Sequence, residues 1–195
     1  MTKVPTDPTT LRLRAARPHA LTLACGAAVG LWVGAAQGQD NWPVYLVVTV
    51  LGGIAAAILH ARYGFSQVTL VGLVVFALGH VAGGMFTVGD QTLYGLWLIE
   101  PVVRFDNVQH AVGFGVVGRA AWELLRHRVP LDRLVTVVLI TAFAVAAGAM
   151  NEIIEWVMTL TIHGTDVGGY DNTARDLVAN LVGGLAAATL TAGHR

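Results

Sequence analysis

The run from Pro43 to His60, PVYLVVTVLGGIAAAILH, contains no aspartate, glutamate, lysine or arginine. A bilayer core asks for about 20 such residues in a helix, because every backbone polar group must find its partner inside the segment. Comparable stretches lie at 19–37, 66–86, 107–125, 134–158 and 174–192. Only 12% of the chain is charged and 55% is hydrophobic, whereas a soluble domain carries about 25% charged residues. The expected fold is therefore all-α, a polytopic membrane bundle of six transmembrane helices. Its parts are a cytoplasmic tail at 1–18, a single membrane domain at 19–192 and a short cytoplasmic tail at 193–195.

Basic residues set the orientation. Lys3, Arg12, Arg14 and Arg17 precede the first span, Arg62 follows the second, Arg126, Arg128 and Arg133 separate the fourth from the fifth, and Arg195 ends the chain. All lie on one side if both termini are cytoplasmic, which leaves only Arg104 and Arg175 outside. The first span follows LRLRAARPH and is trailed by the small residues of GAAQG, as in a signal peptide, but its apolar core is long enough to favour an uncleaved anchor. Net charge is zero, and no basic stretch is interleaved with aromatics, so nucleic acid is not an expected partner. Cys25 is the sole cysteine. It can make neither an internal disulfide nor a thiolate metal cage, and packing is its expected role.

The polar residues are not scattered. His80 lies in LVVFALGHVAGGMF. Asp106 and His110 are four apart in RFDNVQHAVGFG and share one helix face. Asn151, Glu152 and Glu155 follow in MNEIIEW, and Asp171, Arg175, Asp176 and Asn180 in YDNTARDLVANLVGG. At 1.5 Å per residue, His80 falls about 6 Å outward of its span's middle, His110, Glu152 and Asp176 about 9–11 Å, and Asn180 about 5 Å. Spans three and five travel outward while four and six return, so four helices are expected to place these residues in one slab near the outer leaflet. Intramembrane ionisable groups persist when paired or used.

Plainer roles exist for several of them. Asp106 can pair with Arg104 at the interface, and Asp171 can cap the last helix or pair with Arg175. Arg119 and Glu123 read as a snorkelling pair, and His163 as a loop residue. Glu100–Pro101 marks a bend within an aromatic segment, 87–106, expected to lie along the membrane interface. Gly83, Gly84, Gly113, Gly115, Gly118, Gly148, Gly183 and Gly184 suit close helix packing.

HVAGG, RFDNVQHAVGFG, NEIIEW and YDNTARDLVANLVGG together resemble the uncharacterised bacterial YjdF-like inner-membrane protein family, from His80 to the end of the sixth span. There is a weaker likeness to the VanZ-like membrane proteins, whose pattern also runs Asp-x-x-x-His, then Glu, then Asp-x-x-x-Asn with glycine. Glu155 stands where that pattern favours glutamine. The resemblance implies a location in the bacterial plasma membrane and brings no established activity; some VanZ-like members are associated with resistance to glycopeptide antibiotics.

Five carboxylates, Asp106, Glu152, Glu155, Asp171 and Asp176, face two arginines, so a metal ion, the arginines or protons must balance them. Mixed imidazole and carboxylate donors suit zinc, manganese or iron(II). The first expectation is a metal-assisted enzyme acting on lipid or lipid-linked headgroups. Asp106, His110 and Asp176 would be metal ligands with His80 as an additional candidate, and Glu152 or Glu155 a general base. Arg104, Arg175, Asp171 and Asn180 would bind substrate. The alternatives are a proton- or cation-coupled transporter and a non-catalytic scaffold or envelope-stress factor. Membrane lipids are the expected partners in every case.

Overall fold

The computed structural model describes residues 7–126, 128, 132–161 and 169–193. It divides into two compact units, Met1–Tyr94 and Gly95–Arg195.

The first unit holds α1 (Pro8–Ala36), α2 (Trp42–Tyr63) and α3 (Gln67–Met85). Pro8 opens α1, where a missing N–H costs nothing. α1 therefore starts well upstream of the expected span. Gly64, at φ +81, turns the chain out of α2 in a backbone conformation that side chains disfavour. Ser66 then caps α3 by accepting from Thr69 N at 3.3 Å. Gly26, Gly30 and Gly34 recur every fourth residue and make one smooth stripe on α1. Leu78, Val81 and Met85 of α3 sit in that stripe so closely that a Cβ at each glycine would come within 2.7 Å of them.

α2 runs back antiparallel, with Leu23 against Gly53. Its far end is tied to α1: the Arg12 guanidinium donates to Ala61 O at 3.2 Å and Arg62 O at 2.9 Å. Buried His60 accepts from Phe65 N through Nδ1 at 2.9 Å, which leaves Nε2 to donate to Arg12 O at 3.1 Å. Cys25, expected to pack, is exposed on α1.

The interfacial segment carries structure that its composition did not announce. β1 (Thr87–Val88) and β2 (Gln91–Thr92) form a hairpin closing the first unit, with Gly89 at φ +64 in its turn. β3 (Trp97–Ile99) and β4 (Val103–Arg104) form a second hairpin opening the other unit, with Trp97 opposite Arg104. The bend expected at Glu100–Pro101 is its turn, through a cis peptide bond.

The second unit continues with α4 (Phe105–Leu125), α5 (Arg133–Thr161) and α6 (Tyr170–Ala192). α4 and α6 run in the same direction in steady register: Asn107 meets Asp176, His110 meets Asn180 and Arg119 meets Thr191. α5 runs against both, with Gly118 at Ile140 O, Gly184 at Ala144 and Gly148 at Asn180. The backbones touch where a Cβ at Gly183 would collide with Ala111 O. Packing this close lets side chains as short as aspartate and asparagine reach across the helix interfaces.

Polarity is distributed inside out. Asn107, His110, Glu123, Glu152, Asp176 and Asn180 are buried, while Val108, Val112, Val178, Val182 and Leu185 are exposed. α2 shows Val47, Leu51, Ile54 and Ile58 on its surface. Exposed apolar faces of this extent suit hydrocarbon rather than water. Among the described residues α1, α2, α3 and α5 are long and apolar enough to cross a membrane. α4 and α6, expected to cross as well, fall short because Asp106, Arg119, Glu123, Asp171, Arg175 and Asp176 lie on them. The missing apolarity and the polar interior have one cause. Glu123 and Arg119 do pair, at 3.4 Å, but Glu123 is buried rather than snorkelling.

A Gly183→Val substitution should drive α4 and α6 apart at cost of about 1–3 kcal/mol. A lower melting temperature in detergent, beside an unchanged Gly52→Ala control at an open helix position, is the expected result.

Candidate functional site

His110 projects from α4 with carboxylates on both sides of its ring. Nε2 lies 3.7 Å from Asp106 Oδ1, one turn earlier on the same helix. Nδ1 lies 3.2 Å from Asn180 Oδ1 on α6 and 3.7 Å from Glu152 Oε1 on α5. The Phe114 ring packs against the imidazole with centroids 5.2 Å apart. All three helices therefore position one side chain.

Two donor sets overlap at it. Asp106, His110 and Asp176 form one, and His110, Glu152 and Glu155 the other; within each set a ligand atom from every residue lies within 4.8 Å of the rest. Asp176 is fully buried. It accepts from Asn107 Nδ2 at 2.8 Å and from Asn172 Nδ2 at 2.6 Å, so both its oxygens are held. Asn172 Nδ2 also reaches Asp106 Oδ2 at 3.4 Å. Asn151 Nδ2 donates to Glu155 Oε1 at 2.6 Å, as their spacing of four predicts. Two buried polar atoms in the cluster have no hydrogen-bond partner among the described residues: Glu152 Oε1 and Asn180 Nδ2.

The arginines stand beside the cluster. The Arg104 guanidinium lies 4.3 Å from the centre of the Trp97 ring and that of Arg175 5.4 Å from it, so one indole gathers both cations. Arg104 also donates to Asn172 Oδ1 at 3.4 Å. Arg175 donates to Asp171 Oδ2 at 2.9 Å and to Pro101 O at 2.6 Å. Asp171 pairs as expected but does not cap: Gly169 is the N-cap, and Asp171 lies in the first turn.

The structure thus brings together Asp106, His110, Glu152, Glu155, Asp176 and Asn180, with Arg104 joined to them through Asn172. His80 belongs to the first unit. Its Nδ1 lies 2.7 Å from Tyr94 Oη, and its ring stacks obliquely on Tyr45 at 4.8 Å. Gly83 and Gly84 have no room for a side chain because the Tyr94 and Tyr45 rings occupy it. Sequence reasoning missed Asn107 and Asn172. A signal was present: Phe-Asp-Asn starts α4 and Tyr-Asp-Asn starts α6, and two parallel helices opening on an aromatic residue followed by Asp-Asn present equivalent side chains at one end.

A family model described as "Predicted membrane protein (DUF2238)" matches residues 18–195. No curated protein and no solved structure matches the chain.

Asn172→Ala removes the donor that reaches Asp106 Oδ2 at 3.4 Å and Asp176 Oδ2 at 2.6 Å. Stranding buried acceptors costs about 1–3 kcal/mol, so thermal unfolding in detergent should begin at a lower temperature. An unchanged melting curve would show that the bridge contributes nothing.

Proposed function

The chain belongs to that membrane protein family, and on this premise we propose that it crosses a bacterial plasma membrane six times with both termini in the cytoplasm. In this reading the second unit binds a divalent cation near the outer face and uses it in a reaction on a lipid or lipid-linked headgroup. The observation that carries it is the imidazole of His110, with Asp106 at one ring nitrogen, Glu152 at the other, and two overlapping donor sets that share it. A buried acid cluster with one imidazole has excess negative charge; Arg175 bonds to Asp171 and Pro101, and Arg104 reaches the cluster through Asn172. A bound cation balances it.

Asp106, His110 Nε2 and Asp176 form the proposed ligand set. The surrounding contacts support this assignment, since metal-bound histidines donate their other N–H to an oxygen and bound carboxylates are themselves hydrogen-bonded. Asn180 Oδ1 and Glu152 provide the former, Asn107 and Asn172 the latter. This set does not draw on His80. Imidazole with two carboxylates suits zinc, manganese or iron(II). When bound, such an ion acidifies a coordinated water. Glu152 or Glu155, both on α5 and in the second donor set with His110, would serve as general base. Arg104 and Arg175, both over the same indole, meet an anionic headgroup.

Metal analysis of wild-type protein beside a folded His110→Ala variant tests the reading. Stoichiometric divalent metal in the former, released by a chelator and absent from the variant, is the expected outcome. Wild-type protein that carries none and takes up none on addition of zinc, manganese or iron(II) defeats it.

A further inference from the structure

A cleft of about 560 Å³ lies between the outer end of α5 and the start of α6, with Glu152, Trp156 and Tyr170 in its lining. The Glu152 oxygen without a hydrogen-bond partner among the described residues is buried and turned toward His110, so the carboxylate there serves the cluster. Unmatched charge of the opposite sign stands at Arg104.

Arg104 and Arg175 share the Trp97 indole but differ in their other partners. Arg175 is paired: its Nε donates to Asp171 Oδ2 at 2.9 Å, and its Nη1 donates to Pro101 O at 2.6 Å. It thereby ties α6 to the turn of the hairpin that carries Trp97. Arg104 has no carboxylate within ion-pair distance among the described residues. Its Nη1 makes a long bond, 3.4 Å, to the neutral Asn172 Oδ1. Its Nε–H is buried and lacks a hydrogen-bond partner among the described residues. A charged donor left unpaired and buried is costly, and a bound oxyanion removes that cost.

The position of Arg104 narrows the choice of anion. Asn172 donates to Asp176 Oδ2 at 2.6 Å and reaches Asp106 Oδ2 at 3.4 Å, so one amide separates the guanidinium from two carboxylates of the first donor set. A carboxylate ligand spends both its oxygens on one guanidinium fork. A phosphoryl group fills the fork with two oxygens and keeps another for a cation. It is also the anionic group that phospholipids carry at the border of their hydrocarbon.

We propose that Arg104 binds the phosphoryl group of a lipid headgroup or of free phosphate, while Arg175 acts as a positioning residue that holds the Trp97 hairpin. This rests on the headgroup reading above and names its anion and the residue that binds it.

The test is equilibrium binding to purified full-length protein in a detergent with a neutral headgroup. The probes are labelled short-chain phosphatidic acid and inorganic phosphate, with dodecanoate as an anionic competitor that has no phosphorus. Phosphate that displaces phosphatidic acid, or binds where the lipid does not, identifies the phosphoryl group alone as the determinant. Phosphatidic acid bound without competition from phosphate identifies a lipid source. Each result supports the proposal if Arg104→Lys, which keeps the charge and loses the fork, weakens binding about tenfold and Arg175→Lys weakens it less. Equal competition by dodecanoate overturns it, as does binding unchanged in Arg104→Lys, an equal loss in Arg175→Lys, or binding of neither phosphate probe. Should Arg104→Lys fail to fold, the competition with dodecanoate on wild-type protein still decides. Metal content measured on the same preparations separates the two readings, since Arg104 is in neither donor set. Protein that holds a divalent metal yet binds neither probe defeats this proposal alone; protein that binds phosphatidic acid through Arg104 and takes up no metal defeats the cation site alone.

Discussion

Acids from three helices crowd around one imidazole inside the second unit, and the remainder of that unit is arranged around this crowding. Donor atoms in each set lie within 4.8 Å of one another. At that separation, and with an effective dielectric constant of about 20, each like-charged pair opposes folding by about 3 kcal/mol. Four ionised carboxylates produce two such pairs, one in each set, and a single imidazolium offsets only part of them. The cluster therefore has to take up a cation or protons. This demand is local to the acids and holds whatever chemistry they serve.

The residues that tolerate the crowding are amides. Asn107, Asn151 and Asn172 each give an N–H to a carboxylate without adding charge. Asn172 also accepts from Arg104, so the arginine's field reaches Asp106 and Asp176 through a neutral side chain. A guanidinium bonded directly to both acids would neutralise them and displace any other cation. Held instead over Trp97 with Arg175, the two arginines keep positive charge beside the cluster and out of it. An anionic group arriving at one side and a cation retained at the other are compatible with that separation.

Hydrophobicity made six helices legible because helix length and apolar run length are set by the same requirement, internal pairing of the backbone. The alignment of His110, Glu152, Asp176 and Asn180 was legible for a related reason: a rise of 1.5 Å per residue in alternating directions fixes height without knowledge of rotation. Rotation about each helix axis was not legible. Glu155 faces Asn151 while Trp156, one residue on, turns to the cleft, and no count of residues chooses between them. The hairpins at β1–β2 and β3–β4 escaped because strands of two or three residues have too few side chains to show alternation. His80 shows the limit of composition: its expected depth was close to that of the others, yet its hydrogen bond is to Tyr94, in the segment expected along the membrane interface. The glycines were read as a general allowance for close packing. Their neighbours differ case by case, from backbone at Gly183 to tyrosine rings at Gly83 and Gly84.

α5 explains why cluster and cleft meet at Glu152. Gly148, Glu152, Trp156 and Thr159 fall at intervals of four, four and three, which is one stripe of an α-helix. At Gly148 the stripe is closed by the Asn180 amide, whose approach leaves no room for a Cβ. One turn later Glu152 is still shielded but faces His110. One turn beyond that, Trp156 is 60% exposed, and the cleft begins. A single helix face thus passes from sealed contact, through a buried acid, to an open aromatic surface within about three turns. Glu152 is the last residue of the sealed part and the first of the open part. Inserting one residue between positions 148 and 156 would turn the following face by about 100° and separate the two environments. Their connection depends on helical register alone.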